Sequence, residues 1–152
     1  PYSSAASDVY KRQNMYGLIG GEANKIEPKK RMLSSMTPTI VEKEGDLYMT
    51  LGTPGGSTII TSVVQTILNV HEFKMTMNEA VNSPRFHHQW KPDSIRIEID
   101  YFDKKVKKQL INSGYKLNDK GAIGRVDGIL VRDDKMLEGG ADKRGDDTAI
   151  GF

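Results

Sequence analysis

Gly55 and Gly56 close the segment Gly52-Thr-Pro-Gly-Gly56 and stand directly before a run patterned as a helix. Without a Cβ, a glycine lets its backbone approach a ligand closely. N–H groups at a helix start, together with the helix dipole, favour negative charge. Such a turn suits a phosphate, a carboxylate or a developing oxyanion. Ser57-Thr58 follows at once, so this is not the Gly-Lys-Ser/Thr phosphate loop. A plain strand-to-helix turn would have the same residues, and residue types alone leave both readings open. Ser34 and Ser35 precede a strand candidate and lie near the basic run Lys29-Lys-Arg31. Their hydroxyls and amides suit a carboxylate, although ordinary turn serines look the same.

The other chemically capable residues point to structure. His87 and His88 are adjacent, so in extended chain they face opposite sides and do not easily share a metal. His71 is the third and last histidine and cysteine is absent, so no metal site and no cofactor is expected. Arg85-Phe-His-His-Gln-Trp90 is expected to be structural, with its rings packed and its imidazoles hydrogen-bonded. Asp142, Asp146 and Asp147, with Lys143 and Arg144, read as a solvated turn.

Composition narrows the partners. The 152 residues are 37% apolar and 28% charged, the range of one globular domain. Lys and Arg total 22 against 20 Asp and Glu, a net charge of only +2 with the signs interspersed. A nucleic-acid binder held by phosphate contacts is not expected from this. No apolar run approaches the roughly 20 residues of a membrane span. The absence of cysteine excludes disulfides and thiolate catalysis.

The elements that must position the glycines and serines are legible in outline. Thr39–Lys43 and Asp46–Leu51 form a hairpin candidate about Glu44-Gly45. Ile59, Ile60, Val63, Val64, Ile67 and Leu68 recur at helical spacing, which predicts a helix over Ser57–Val70 with Ser57 as N-cap. Thr76-Met-Asn-Glu79 fits a capping box and opens a short helix that Pro84 closes. Ser94–Ile99 alternates as a half-buried strand. Phe102, Val106, Leu110 and Ile111 predict a surface helix stopped by Gly114, with Lys104, Lys105, Lys107 and Lys108 as its solvated face. Arg125–Arg132 and Lys135–Leu137 predict two strands about Asp133-Asp134. Hairpins and helices in separate runs indicate an α+β class or a layered sandwich rather than βαβ repeats. Residues 1–13 show no periodicity, and Ser7-Asp-Val-Tyr-Lys-Arg-Gln13 resembles a translated sequencing-adapter read. They are expected to be a non-native or disordered leader ahead of a domain over 14–152.

Three segments in register carry a family resemblance. Lys30-Arg-Met-Leu-Ser-Ser-Met-Thr-Pro-Thr-Ile-Val41, Gly52-Thr-Pro-Gly-Gly-Ser57 and Asn82-Ser-Pro-Arg-Phe-His-His-Gln-Trp90 resemble γ-glutamyltranspeptidase, and Asn14–Asn24 resembles the segment preceding them. The resemblance implies an N-terminal-nucleophile hydrolase, a four-layer αββα sandwich made by self-cleavage of a precursor into large and small subunits. It implies that a freed threonine attacks small γ-glutamyl substrates such as glutathione, and that the acyl group then passes to water or an amino-acid acceptor. On this resemblance Ser34 and Ser35 match the serines that bind the glutamyl α-carboxylate, and Gly55 and Gly56 match the glycines of the oxyanion hole. A periplasmic or extracellular location is implied as well. No residue here matches the nucleophilic threonine, the Thr-x-Asn segment after it or the Asp-rich stretch that grips the substrate amino group. Pro1 has no hydroxyl to replace the threonine. The chain therefore reads as the C-terminal part of a small subunit, inactive alone, whose partner is the large subunit of the same precursor. A related acylase or poly-γ-glutamate depolymerase, and a non-catalytic carboxylate-binding domain, are the competing readings.

Overall fold

The computed structural model describes residues 21–32, 36–98, 102–119 and 121–151. The leader, most of Asn14–Asn24, Ser34, Ser35 and the end of the predicted strand at Ile99 lie outside the described residues.

The hairpin forms where expected, as β1 (Thr39–Lys43) and β2 (Asp46–Gly52). Its two-residue turn needs positive φ at both positions, and Glu44 (φ 57°) and Gly45 (φ 89°) supply it. β2 also pairs with β6 (Asp127–Val131), and β6 with β7 (Leu137–Gly140), giving an antiparallel sheet in the order β1-β2-β6-β7. Val41 faces Met49 while Glu42 faces Leu47, so Tyr48 is an extra residue, a β-bulge. The bulge turns Leu47 outward and leaves Met49 and Leu51 on the inner face.

That inner face is covered by α1 (Ile59–His71) and α2 (Met77–Asn82). Met49, Leu51, Ile59, Val63, Val70, Met77, Ala80, Val81 and Val126 form the buried cluster. α2 reaches the sheet where β6 and β7 carry glycine. A Cβ on Gly128 would lie 2.8 Å from Met77 Sδ, and one on Gly140 would lie 2.7 Å from the Met77 carbonyl oxygen. The capping box is present, with Thr76 Oγ1 accepting from Glu79 N and Glu79 Oε2 accepting from Thr76 N. The outer face of the sheet carries Ile40, Leu47, Ile129 and Leu137, all 42% exposed or more.

Two elements depart from their predicted form. α1 is apolar on two sides, with Ile59 and Val63 turned inward and Ile60, Val64 and Leu68 exposed. Ser57 is not its N-cap: a 3-10 turn over Gly56–Thr58 precedes α1, and the Thr58 amide already donates to the Gly55 carbonyl. β7 starts at Leu137, the last residue of the strand predicted there, because Lys135 adopts φ 63° and lengthens the loop to Asp133–Lys135. Arg132 N donates to Met136 O across it, the geometry of a three-residue hairpin loop.

A second sheet joins β3 (Phe86–His87), β4 (Ile95–Ile97) and β5 (Leu117–Asp119). β4 and β5 are parallel, so the chain must cross over between them, which it does through α3 (Lys104–Asn112). Asp103 caps α3 by accepting from Val106 N, and Gly114 (φ 91°) follows its end. None of the described helices is long and apolar enough to cross a membrane.

Candidate active site

β2 ends at Gly52, and four residues later the chain is winding into α1, so the segment from Thr53 to Gly56 must reverse direction sharply. Gly55 does this at φ 142° and Gly56 at φ 58°, both in the positive region that favours glycine. A Cβ on Gly55 would fall 2.7 Å from Thr58 Oγ1, which itself donates to the Gly55 carbonyl at 3.0 Å. The amides of Gly56 and Ser57 precede the first intrahelical donor, Thr58 N. Ser57 Oγ is buried without a hydrogen-bond partner. Met36 forms an antiparallel bridge with Pro54, so the residue following Ser34-Ser35 is paired with the residue preceding Gly55. The serines themselves lie outside the described residues.

A second loop, residues 121–126, lies against the glycine turn. Thr53, 2% exposed, is the link: its Oγ1 donates to Pro54 O at 2.6 Å and accepts from Arg125 N at 2.9 Å. A Cβ on Gly55 would also touch Gly124 Cα at 3.6 Å.

Carboxylates fix this loop from behind. Glu98 Oε1 accepts from Ile123 N at 2.7 Å, and Asp142 Oδ2 accepts from Val126 N at 2.8 Å. Both belong to an ion network with Arg85 and Arg144. Arg85 Nη2 and Arg144 Nη1 each stand 2.9 Å from Asp142, and the Arg144 guanidinium also pairs with Glu98. Arg85 donates further to the carbonyls of Ile123 and Val81. The predicted solvated turn is therefore corrected in part. Asp142 is fully buried and the Arg144 side chain is 8% exposed, because Asp142 accepts from Arg85, Val126 N and Arg144, while Arg144 also pairs with Glu98 and donates to the carbonyls of Val81 and Ser83. Asp146 is exposed as expected, its carboxylate paired with Arg125.

Burial alone would raise the pKa of both carboxyls. For Glu98 it is outweighed by the Arg144 guanidinium and the amides of Ile123 and Arg85; for Asp142, by the amides of Arg144 and Val126 and the charge of Arg85. Both pKa values end below their ordinary values. A carboxyl depressed by folding contributes stability that is complete above its unfolded value and is lost as pH falls through the folded one. The unfolded values are about 4.3 for Glu and 3.9 for Asp. The chain is therefore expected to hold its stability at pH 5 and to lose it below about pH 4. Circular dichroism during an acid titration checks this, with Asp142→Asn flattening the acid limb.

The histidines take no such part. His87 is buried and hydrogen-bonded to Thr61 Oγ1 at 2.8 Å and Gln89 Oε1 at 2.9 Å. His88 lies 3.4 Å from Asp93, and His71 meets the Tyr48 ring edge-on. Phe86 packs on Phe102, but Trp90 is 72% exposed under Lys91 rather than packed. Among the described residues no cluster of His, Cys, Asp or Glu is suited to a metal ion.

Sequence reasoning missed the supports of the turn. Thr53 and Gly124 carry no local signature. Arg85 sat inside a recognised segment without a partner, and Glu98 read as the polar side of a half-buried strand although only 8% of it is exposed.

The profile of the family described as gamma-glutamyltranspeptidase matches residues 4–152, which takes in most of the segment set apart as a leader. The glutathione hydrolase proenzyme of Escherichia coli is 46% identical over 140 residues, covering 91% of this chain and 24% of that protein. The corresponding proenzyme of Pseudomonas aeruginosa is 43% identical, with 87% and 24% covered. The chain thus spans about a quarter of the length of these curated relatives. Among solved structures, a Helicobacter pylori γ-glutamyltranspeptidase T380A mutant superposes with TM-score 0.83 at 41% identity, over 94% of this chain and 79% of that one. Matches of this extent and depth, with the glycine turn in place, establish that the chain belongs to the γ-glutamyltranspeptidase family.

Proposed function

We propose that the protein to which this chain belongs cleaves γ-glutamyl amides through a γ-glutamyl-enzyme and passes the group to water or an amino-acid acceptor. Gly55 and Gly56 present their amides to the oxyanion that forms as the amide carbonyl is attacked. Ser34 and Ser35 hold the glutamyl α-carboxylate. The nucleophilic threonine, which no residue here matches, comes from elsewhere in the precursor, as does the large subunit. The outer sheet face, with its exposed Ile40, Leu47, Ile129 and Leu137, suits packing against those parts. The observation that carries the reading is the bridge between Met36 and Pro54, which ties the serine segment to the glycine turn. The 46% identity to a glutathione hydrolase proenzyme favours this activity over a related acylase, since the cephalosporin acylase structure that matches is 21% identical and shares only the fold.

The test is a chimaera in which this chain replaces the aligned 140 residues of the Escherichia coli proenzyme. It is expected to self-process and to hydrolyse γ-glutamyl-p-nitroanilide, whereas the 152 residues alone release no p-nitroaniline. Ser34→Ala in the chimaera is expected to raise KM by the value of a hydrogen bond to a charged group, roughly 1.5–3 kcal/mol. A burst of product from the isolated chain, or an unchanged KM in Ser34→Ala, would overturn the reading.

A further inference from the structure

We infer that Gly124 is a positioning residue for the glycine turn: it sets how closely loop 121–126 seats against α1, and so where the Gly55 and Gly56 amides point. The inference rests on the oxyanion reading of that turn. Gly124 lies at φ 68°, and a Cβ there would fall 2.5 Å from Ser62 Oγ, 3.1 Å from Ser62 Cβ and 3.4 Å from Thr53 Oγ1. Its own Cα is the backbone atom against which Gly55 abuts, 3.6 Å from where a Gly55 Cβ would stand. Two glycines with positive φ thus meet face to face between a helix and a loop, and side chains are excluded from both sides of the contact.

Neither neighbour of Gly124 is free to yield. Ser62 is fully buried on α1, and although its hydroxyl bonds to nothing, turning it away still leaves the 3.1 Å contact with Ser62 Cβ, which is fixed to the helix. On the other side Thr53 Oγ1 is committed to Arg125 N and Pro54 O. The loop cannot retreat, because Ile123 N and Val126 N are held by buried Glu98 and Asp142. An added methyl group at 124 therefore displaces the turn through Thr53 and Pro54 rather than expanding into open space.

Gly124 touches no substrate on this account, so its removal should show in the chemical step. An oxyanion contact strengthens in the transition state and contributes little to substrate binding. In the chimaeric proenzyme Gly124→Ala is expected to lower kcat at least tenfold while KM for γ-glutamyl-p-nitroanilide stays within threefold. Ser62→Ala, which removes a hydroxyl that bonds to nothing, leaves kcat within twofold. Ser62→Gly removes both of the shortest contacts and is expected to recover at least threefold of the kcat lost in Gly124→Ala. If Gly124→Ala yields no processed protein, the double variant is read against Ser62→Gly alone, and a kcat at least threefold lower supports the inference. An active wild-type chimaera with unchanged kcat in Gly124→Ala, or a rise in KM alone, or no recovery by Ser62→Gly, overturns this inference and leaves the oxyanion reading standing. A processed wild-type chimaera without turnover overturns both.

Discussion

Gly55→Ala in the chimaeric proenzyme is expected to slow acylation by about 10²–10³, the loss of about 2.7–4 kcal/mol that follows removal of one oxyanion donor. Two costs coincide at this position. φ 142° is a conformation that side chains with a Cβ rarely adopt, and the new methyl group meets Thr58 Oγ1 at 2.7 Å. Thr58 is 3% exposed and bonded back to the Gly55 carbonyl, so it cannot swing aside without breaking the turn that opens α1. Gly56→Ala should be milder. Its φ of 58° is the left-handed region, where a non-glycine residue is strained by roughly 1–2 kcal/mol but not forbidden. Single-turnover release of p-nitroaniline measures both. Equal acylation rates in wild type and Gly55→Ala would remove Gly55 from the oxyanion site.

The second large effect is on folding. Asp142→Ala is expected to cost about 3–5 kcal/mol, the range for removing one partner of a buried ion pair. Arg85, 1% exposed, would keep its charge without its nearest counter-charge, and Val126 N and Arg144 N would lose their acceptor. Since domains of this size are stable by about 5–15 kcal/mol, the variant should lose a large part of its margin. Asp142→Asn retains an acceptor oxygen and should fall between the two. Asp146→Asn is the control. Its carboxylate is 96% exposed and pairs with Arg125 at the surface, so the change should stay within about 1 kcal/mol. Urea-unfolding midpoints of the three variants check the order, and an Asp142→Ala midpoint equal to that of Asp146→Asn would refute it.

What could be read beforehand was local. The Glu44-Gly45 hairpin, the Thr76–Glu79 capping box and the helix after Gly56 each rest on signals within a few residues, and each forms. The glycine turn was visible for the same reason. Its supports were not, because they are contacts between residues far apart in the chain: Thr53 with Arg125, Arg85 with Asp142, Glu98 with Arg144. An aspartate in a Gly-rich polar stretch looks solvated unless the buried arginine that reaches it is known. α1 shows the same limit. Its period revealed a helix but not that Ile60, Val64 and Leu68 would face away from the sheet, since both apolar stripes fit one helical pattern. The family resemblance reached the serines and glycines through their motifs, and offered nothing on Gly124.

The ion network also imposes an order of events during synthesis. The glycine turn leans on loop 121–126, and that loop is held by Asp142, itself paired with Arg144. A ribosome adding about 5–20 residues per second takes roughly 4–18 s to travel from Gly56 to Arg144. During that interval α1 and then Glu98 are added to β1 and β2, but Asp142, the last of the buried acceptors that seat the loop, is still missing. The turn is thus completed late although its residues are made early, and truncation before residue 142 should spare the hairpin while leaving the turn unbraced.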